Sequence, residues 1–211
     1  MNSIAQDPET GQQEGQQRIG GRHRGRQSMK KRTSKQIFAE TLLDLSKRKT
    51  IDKITVQQIV EESGLSLQTF YNHFRDKADL ILWIHKAKFD ELLEKMGKNG
   101  YTYRDLTLEN IQFYMDHKDY MWNALNHTHG QDDYRRASAD NAYKVFRAYI
   151  LKHHGLSELP EDIDFYLKIY CYAAPFIYAE WAFHMKNTSP EVFAVYAEEA
   201  MPGPLKKYLL E

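Results

Sequence analysis

The sequence predicts an all-α protein, and three observations support this fold class. Apolar residues recur at spacings of three and four in successive segments, as they do on one face of an α-helix. Residues suited to helix caps, and glycines or prolines suited to helix ends, separate these segments. No stretch of useful length alternates apolar and polar residues as a half-buried strand does, and no repeat period is present.

The first helix is predicted to begin at Thr33, because Ile37, Phe38 and Leu45 then fall on one face. The stretch "KRKTIDKI" interrupts this period. A second helix starts at Thr55, whose hydroxyl can cap it, and stops at the pair Ser63-Gly64.

A third helix is predicted from Leu67 to Phe74, with Ser66 as its cap. Phe70 and Phe74 lie four residues apart and therefore share the inward face. The outward face then carries four polar side chains. These are Gln68, Thr69, Asn72 and His73.

A fourth, longer helix follows Asp76 and ends near Gly97, so that it connects a small front bundle to the rest of the chain. About nine helices are expected in total. The later ones are predicted at 108–117, 119–126, 132–153, 162–186 and 190–200.

Composition limits the class of protein further. With 211 residues, 42% of them hydrophobic, the chain is long enough to bury a core. Its single cysteine, Cys171, stands in the apolar context "IYCYAAPF" and is expected to be a core residue. No run of about 20 apolar residues and no secretory signal is present, so we expect a cytoplasmic protein with no membrane span.

The first 28 residues are rich in Gly, Gln and Arg and are expected to form a disordered basic extension. Residues 18–35 contain eight Lys or Arg and no acid, although the formal net charge of the chain is zero. Such an arm can follow a nucleic-acid backbone or enter a minor groove, and the alternative is a solvated tail. Its basic residues nearest the first helix are Arg22, Arg24, Arg26, Lys30, Lys31 and Arg32.

Two short helices joined by a tight Gly-containing turn, the second polar on one side, are typical of a helix-turn-helix that enters the major groove. Amide side chains suit adenine edges, while hydroxyls and amides suit phosphates. The alternative is an ordinary helical hairpin with a solvated polar face.

The segment "TVQQIVEESGLSLQTFYNHFRDKADLI" resembles the DNA-binding motif of the TetR family of bacterial regulators over its whole length. The matching positions are Thr55, Ile59-Val60, Ser63-Gly64-Leu65-Ser66, Thr69-Phe70-Tyr71, His73-Phe74, Lys77 and Leu80. Departures are mild, since Val60 and Ser63 replace alanines and Leu65 replaces a valine. The resemblance implies a DNA-binding domain at 29–77 and a helical ligand-sensing and dimerisation domain at 78–211.

The resemblance also assigns roles to individual residues. The positions that it implies touch phosphates are Thr55, Thr69, Tyr71, His73 and Lys77. Lys31 and Arg32 are predicted to contact DNA because they belong to the basic arm, not because of the resemblance. The positions that it implies read bases are Gln57, Leu67, Gln68 and Asn72. Alternatives remain open, because Tyr71 could pack into the bundle, His73 could cap it and Gln57 could be solvated.

The rest of the chain contains many aromatic residues. They are too numerous to lie all on the surface, so most of them must belong to the core. In the TetR family the last two helices usually pair with those of a second subunit. The residues predicted for this dimer interface are Phe176, Ile177, Trp181, Val192, Phe193 and Tyr196. The residues that could line a pocket for a small-molecule effector are Trp122, Tyr143, Phe146, Tyr166, Tyr170 and Tyr178, although such a stripe is more often packing.

Other chemistries find little support in the sequence. His117, His127, His129, Asp132 and Asp133 lie close together, but their spacing is irregular, and we predict neither a metal site nor a cofactor. No nucleophile elbow, phosphate-cradling loop or paired cysteine indicates an enzyme.

The sequence therefore predicts a homodimeric repressor that binds a pseudo-palindromic operator and is released by an effector. The alternative is an activator controlled by a protein partner, since "QTFYNHFRDKADLILWI" also resembles the activators of dihydroxyacetone kinase operons.

Overall fold

The computed structural model of the protein describes residues 32–128, 133–185 and 187–210. These residues form ten α-helices and one 3₁₀ turn, with no strand among them, so the predicted all-α fold class is confirmed. The extension predicted at residues 1–28 lies outside the described ranges.

The N-terminal helices form a small bundle. It consists of α1 (Ser34–Ser46), the 3₁₀ turn (Ile51–Lys53), α2 (Val56–Ser63) and α3 (Leu67–His73), which together we call the head. Helix α4 (Lys77–Lys95) leads away from the head. The remaining helices are α5 (Tyr103–Asp116), α6 (Lys118–Asn126), α7 (Tyr134–His153), α8 (Glu161–His184), α9 (Pro190–Glu199) and α10 (Gly203–Leu209).

The ends of the head helices are set by local side-chain chemistry. Thr33 and Thr55 each form a reciprocal capping box, at the start of α1 with Gln36 and at the start of α2 with Gln58. Gly64 ends α2 with a φ of 69°, a left-handed conformation that a residue with a Cβ adopts only at a cost. This turn redirects the chain into α3.

The interior of the head is built on three phenylalanines. The ring of Phe38 on α1 meets the rings of Phe70 and Phe74 edge-on, with centroids 5.2 and 6.4 Å away. All three side chains are at most 2% exposed. Because Phe70 and Phe74 anchor one side of α3, the opposite side of that helix faces outward.

The larger helical region continues the same apolar interior. Helix α4 contacts α1, α5 and α7, while α7 packs along α8 and α5 packs against α9. One buried cluster runs from the head through Ile81 and Ile84 of α4 to Met121 of α6 and Trp181 of α8. A second cluster occupies the far end of the molecule and includes Cys171, which is buried as expected.

Three elements differ from the sequence-based expectation. Helix α5 begins at Tyr103 rather than at 108, because Thr102 and Asp105 form a capping box there and the side chains of Tyr103 and Leu106 are buried. The 3₁₀ turn at Ile51–Lys53 and helix α10 were not predicted. The turn is only three residues long, and α10 begins within Pro202-Gly203-Pro204, which is typical of a loop. None of the helices in the described ranges is long and apolar enough to cross a membrane.

Candidate nucleic-acid interface

Helix α3 presents a continuous polar face on the outside of the head. Gln68, Asn72 and His73 are exposed, and Leu67 and Tyr71 expose 42% and 53% of their surface. The Ser66 hydroxyl caps the helix by accepting the Thr69 N–H at 3.0 Å. A helix seven residues long, held by a cap and by buried rings, can carry this face into a major groove.

The amide side chains of the head are held by intrahelical hydrogen bonds. Gln68 Nε2 donates to Asn72 Oδ1 at 2.8 Å, so the two amides on α3 form one unit. On α2, Gln57 Nε2 donates to Glu61 Oε1 at 2.9 Å. All four side chains are exposed, so their remaining donors and acceptors are open to base edges.

The hydroxyl and imidazole groups assigned to phosphates occupy varied environments. Thr55 is exposed but its hydroxyl accepts the Gln58 N–H at 3.2 Å. Thr69 is half-buried, and its hydroxyl shares a 2.8 Å hydrogen bond with that of Ser66. Tyr71 and His73 are exposed, and the ring of Tyr71 rests edge-on against Phe70. The outward set therefore consists mainly of Tyr71 and His73.

Lys77 lies in a different place from the other assigned residues. Its ammonium group donates to the backbone carbonyls of Ile51 and Ile54, both at 2.5 Å, and is half-buried. It thus ties the start of α4 to the 3₁₀ turn. Arg32 is exposed and forms an ion pair with Glu40 at 2.6 Å, while Lys31 falls outside the described residues.

A narrow cavity lies between α4, α5, α7 and α8. Phe146, Tyr170 and Tyr178, three of the aromatic residues predicted to line a pocket, are among its walls. Its volume is about 50 Å³, whereas pockets for drug-sized ligands are roughly 300–1,000 Å³. The cavity therefore has room for a few water molecules, and a drug-sized ligand fits only if its walls move.

The other three predicted pocket residues lie elsewhere. Trp122 is exposed beside Phe183 on α8, and Tyr166 lies on an open surface near the start of the same helix. Tyr143 donates its hydroxyl to the Asp164 carboxylate, and this hydrogen bond holds its ring away from the cavity. The spacing of aromatic residues along a helix does not show which of them face the cavity, so these three could not be excluded from the sequence.

The sequence analysis did not identify His85, a polar residue of α4 that lines the cavity. His85 is 7% exposed, and its Nδ1 lies 2.9 Å from the Tyr134 hydroxyl. Burial lowers the pKa of His85 to about 4, so the imidazole is neutral at physiological pH. The only signal in the sequence is a histidine on the apolar side of "ILWIHKAKF".

An apolar face extends along α8 and continues onto α9. Five large apolar side chains of α8 are more than 40% exposed. They are Phe165, Ile169, Tyr172, Phe176 and Ile177, and Val192 and Tyr196 on α9 add to them. We call these seven residues the α8–α9 face. Four of the six residues predicted for a dimer interface belong to it.

The other two predicted interface residues are buried within the subunit itself. Trp181 and Phe193 are 5% and 3% exposed, and their ring centroids lie 5.0 Å apart. Trp181 also donates its indole N–H to the Thr188 carbonyl at 2.9 Å. The pair therefore closes the contact between α8 and α9 of one chain, whereas the sequence analysis placed both residues at a contact between two subunits.

The described part of the chain contains no group of three or more His, Cys, Asp or Glu side chains placed to hold a metal ion. Of the residues considered for such a site, His129 and Asp132 fall outside the described ranges. His127 lies 3.9 Å from Asp52 as an isolated pair.

The fold and the exposed face of α3 define an all-α protein with an N-terminal helix-turn-helix. Residues 42–84 match the family model described as bacterial regulatory proteins, tetR family. This range covers most of the head and the first part of α4. The match shows a DNA-binding region of the tetR type at residues 42–84, and the resemblance seen in the sequence is confirmed for this segment.

A curated relative matches a short part of the chain. A curated relative, the HTH-type dhaKLM operon transcriptional activator DhaS of Lactococcus lactis subsp. lactis (strain IL1403), is 33% identical over 60 residues, which cover 28% of this chain. The matched segment spans 32% of the length of that relative.

Two solved structures share the fold at low sequence identity. One is the dihydroxyacetone kinase operon activator DhaS, at 17% identity and a TM-score of 0.58, covering 83% of this chain and 97% of that one. The other is a tetR-family transcriptional regulator from Streptomyces coelicolor, at 17% identity and a TM-score of 0.55, covering 82% of both chains.

Proposed function

We propose that this protein is a cytoplasmic, homodimeric transcription regulator that reads a pseudo-palindromic operator with α3 of each subunit, and that it is not an enzyme. The observation that carries the proposal is the division of α3 into two faces. Phe70 is fully buried, whereas Gln68, Tyr71 and Asn72 on the opposite side are exposed. A short helix anchored on one side and polar on the other suits insertion into the major groove.

The exposed α8–α9 face supports the proposed dimer. Seven large apolar side chains exposed on two neighbouring helices are costly in water, and a second copy of the same face would cover them. A two-fold pair of heads can then read two half-sites about 34–36 Å apart, which gives more affinity than one small head.

Selection of DNA from a random pool by the purified chain tests this proposal. Enrichment of a palindrome with two half-sites would support it. Failure to enrich any sequence, with intact dimers, would refute direct reading of an operator by α3.

Gln68→Ala and Tyr71→Ala are expected to change binding to the selected DNA in different ways. Loss of the Gln68 amide should reduce discrimination at one base position by about 1–3 kcal/mol. Loss of Tyr71, which is exposed and assigned to a phosphate, should weaken binding to all sequences alike. Competition assays with single-base variants of the operator measure both effects. Unchanged base preference in Gln68→Ala would contradict the assignment.

Phe176→Glu is expected to separate the dimer. Two-fold symmetry places the substituted residue in the interface twice, so two carboxylates would lose hydration in an apolar surface. The Arg135 guanidinium, 5.5 Å from the Phe176 ring, would offset only part of this cost. We expect the dimer dissociation constant to rise at least 100-fold, equivalent to about 2.7 kcal/mol. Sedimentation equilibrium measures it, with Met115→Glu as control, because Met115 is similarly exposed but lies on α5. Equal effects of the two substitutions would argue against the α8–α9 face.

Two modes of regulation are consistent with this architecture. In the first, the protein is a repressor, and an effector that enters the cavity between α4 and α8 releases it from DNA. Since His85 of α4 lines the cavity, a ligand there would contact the helix that leads directly from the head.

In the second mode, the protein is an activator controlled by a protein partner. The small volume of the cavity favours this mode, and the relatives named DhaS are described as operon activators. Measuring transcription from a promoter that carries the selected operator distinguishes repression from activation. Expression that rises when the gene is deleted indicates a repressor, and expression that falls indicates an activator.

A further inference from the structure

Ile51 lies in the 3₁₀ turn that joins α1 to α2, and its backbone is held from outside the head on both sides. Its N–H donates to Oδ1 of Asn123 on α6 at 3.2 Å. Its carbonyl accepts from the Lys77 ammonium group at the start of α4 at 2.5 Å. The Ile51 side chain is 1% exposed, so water does not readily replace these bonds.

All the hydrogen-bonding groups of the Asn123 amide, its oxygen and both its hydrogens, are engaged. In addition to the Ile51 contact, Nδ2 donates to the carbonyl of Ser46, the last residue of α1, at 3.3 Å, and to the carbonyl of Asp119 on its own helix at 2.7 Å. The side chain is 6% exposed. A buried amide with its oxygen and both hydrogens engaged has one orientation, and any rotation leaves polar groups unpaired.

Lys77 holds the next part of the same segment. Its ammonium group also donates to the carbonyl of Ile54 at 2.5 Å. Ile54 immediately precedes Thr55, the cap of α2, so the contact lies one residue from the start of the helix-turn-helix. The segment from Ser46 to Ile54 is therefore fastened to α6 by one side chain and to α4 by another.

We propose that Asn123 and Lys77 are positioning residues that together form a junction clamp, which sets the orientation of α2 and α3 relative to α4 and α6. This inference rests on the proposed function, in which two heads meet two half-sites at a fixed separation. A head without the clamp would be free to change its orientation and would lose this freedom on binding DNA. The entropy lost in this way would oppose binding and lower the affinity for the operator. Neither residue needs to touch DNA for this effect.

The first test replaces Asn123 with Leu, which has a similar size and no amide. We expect the Ile51 amide hydrogen to exchange at least tenfold faster in the free protein, and the affinity for the pool-selected DNA to fall about tenfold. Asn126→Ala is the matched control on α6, since the Asn126 amide donates only to the Trp122 carbonyl of the same helix, at 2.9 Å. It should leave both quantities unchanged.

The second test replaces Lys77 with Met, which keeps the aliphatic stem. A clamp predicts weaker operator binding with an unchanged dependence on salt, because no phosphate contact is lost. A lysine that neutralised a phosphate would instead lower the slope of log affinity against log salt by about one on substitution. The salt series thus separates a positioning role from direct contact, and it remains available if Asn123→Leu does not fold.

The outcomes separate the clamp from the function on which it rests. Unchanged Ile51 exchange in Asn123→Leu, or a reduced salt slope in Lys77→Met, would overturn the clamp while the wild type still binds its selected DNA. Faster exchange with full operator affinity would also overturn it. A wild type that selects no DNA would overturn the proposed function and, with it, the role of the clamp in reading DNA.

Discussion

Replacement of Phe70 by alanine is expected to lower the free energy of unfolding by about 3–5 kcal/mol and to abolish operator binding. The Phe70 ring is fully buried, with the centroids of Phe38 and Phe74 at 5.2 and 5.6 Å. Its removal leaves a cavity between α1 and α3 that a head of this size cannot easily close. Urea denaturation followed by circular dichroism measures the loss of stability.

Tyr71→Ala provides the matched control for this prediction. It removes an aromatic ring from the adjacent position of the same helix, but one that is 53% exposed. We expect a change in stability of at most about 1 kcal/mol, because exposed side chains contribute little to packing. If Phe70→Ala cost no more than Tyr71→Ala, the division of α3 into a buried and a reading face would be incorrect.

Acidification is expected to destabilise the protein through His85. Since its folded-state pKa is lowered from 6.5 to about 4, the unfolded chain binds a proton between these values while the native chain does not. The contribution of His85 to the free energy of unfolding is therefore fully present above pH 6.5 and is lost as the pH falls towards 4. The full loss is about 3 kcal/mol.

A comparison with His85→Gln isolates this contribution. Glutamine can still bond to Tyr134 but does not titrate in this range, so the variant should lose about 3 kcal/mol less than the wild type between pH 7 and 4. His73→Gln serves as control because His73 is exposed on α3. Equal pH dependence in His85→Gln and the wild type would show that His85 is not held in its neutral form.

Much of the head was predictable because its determinants are local. Thr55 and Ser66 cap helices through residues three positions away, and the i, i+4 pair of Phe70 and Phe74 gives α3 its buried side. The assignment of Gln68 and Asn72 to the outward face follows directly from that pair. These relations extend over only a few residues and are visible in the sequence itself.

The position of Lys77 could not be predicted in the same way. Its carbonyl partners lie 23 to 26 residues earlier in the chain, in a 3₁₀ turn that has no periodic pattern. Asn123 reaches across 72 residues to Ile51. Contacts of this kind depend on how helices pack, and propensity and periodicity carry no information about them.

The C-terminal region shows a second limit of sequence reasoning. Trp181 and Phe176 are both large, aromatic and on α8, yet one is buried within the subunit and the other is 60% exposed. Apolar periodicity marks residues that avoid water, but it does not say whether the same chain or a second one covers them. The α8–α9 face was therefore only partly anticipated.

Protection of the pool-selected DNA against chemical cleavage shows whether α3 of each subunit reads the major groove. We expect two protected half-sites on one side of the duplex, with centres about 10–10.5 base pairs apart or a multiple of this. We also expect Gln68→Ala to change the bases required within each half-site. A single continuous footprint, or base requirements that do not change in Gln68→Ala, would contradict reading of the groove by α3.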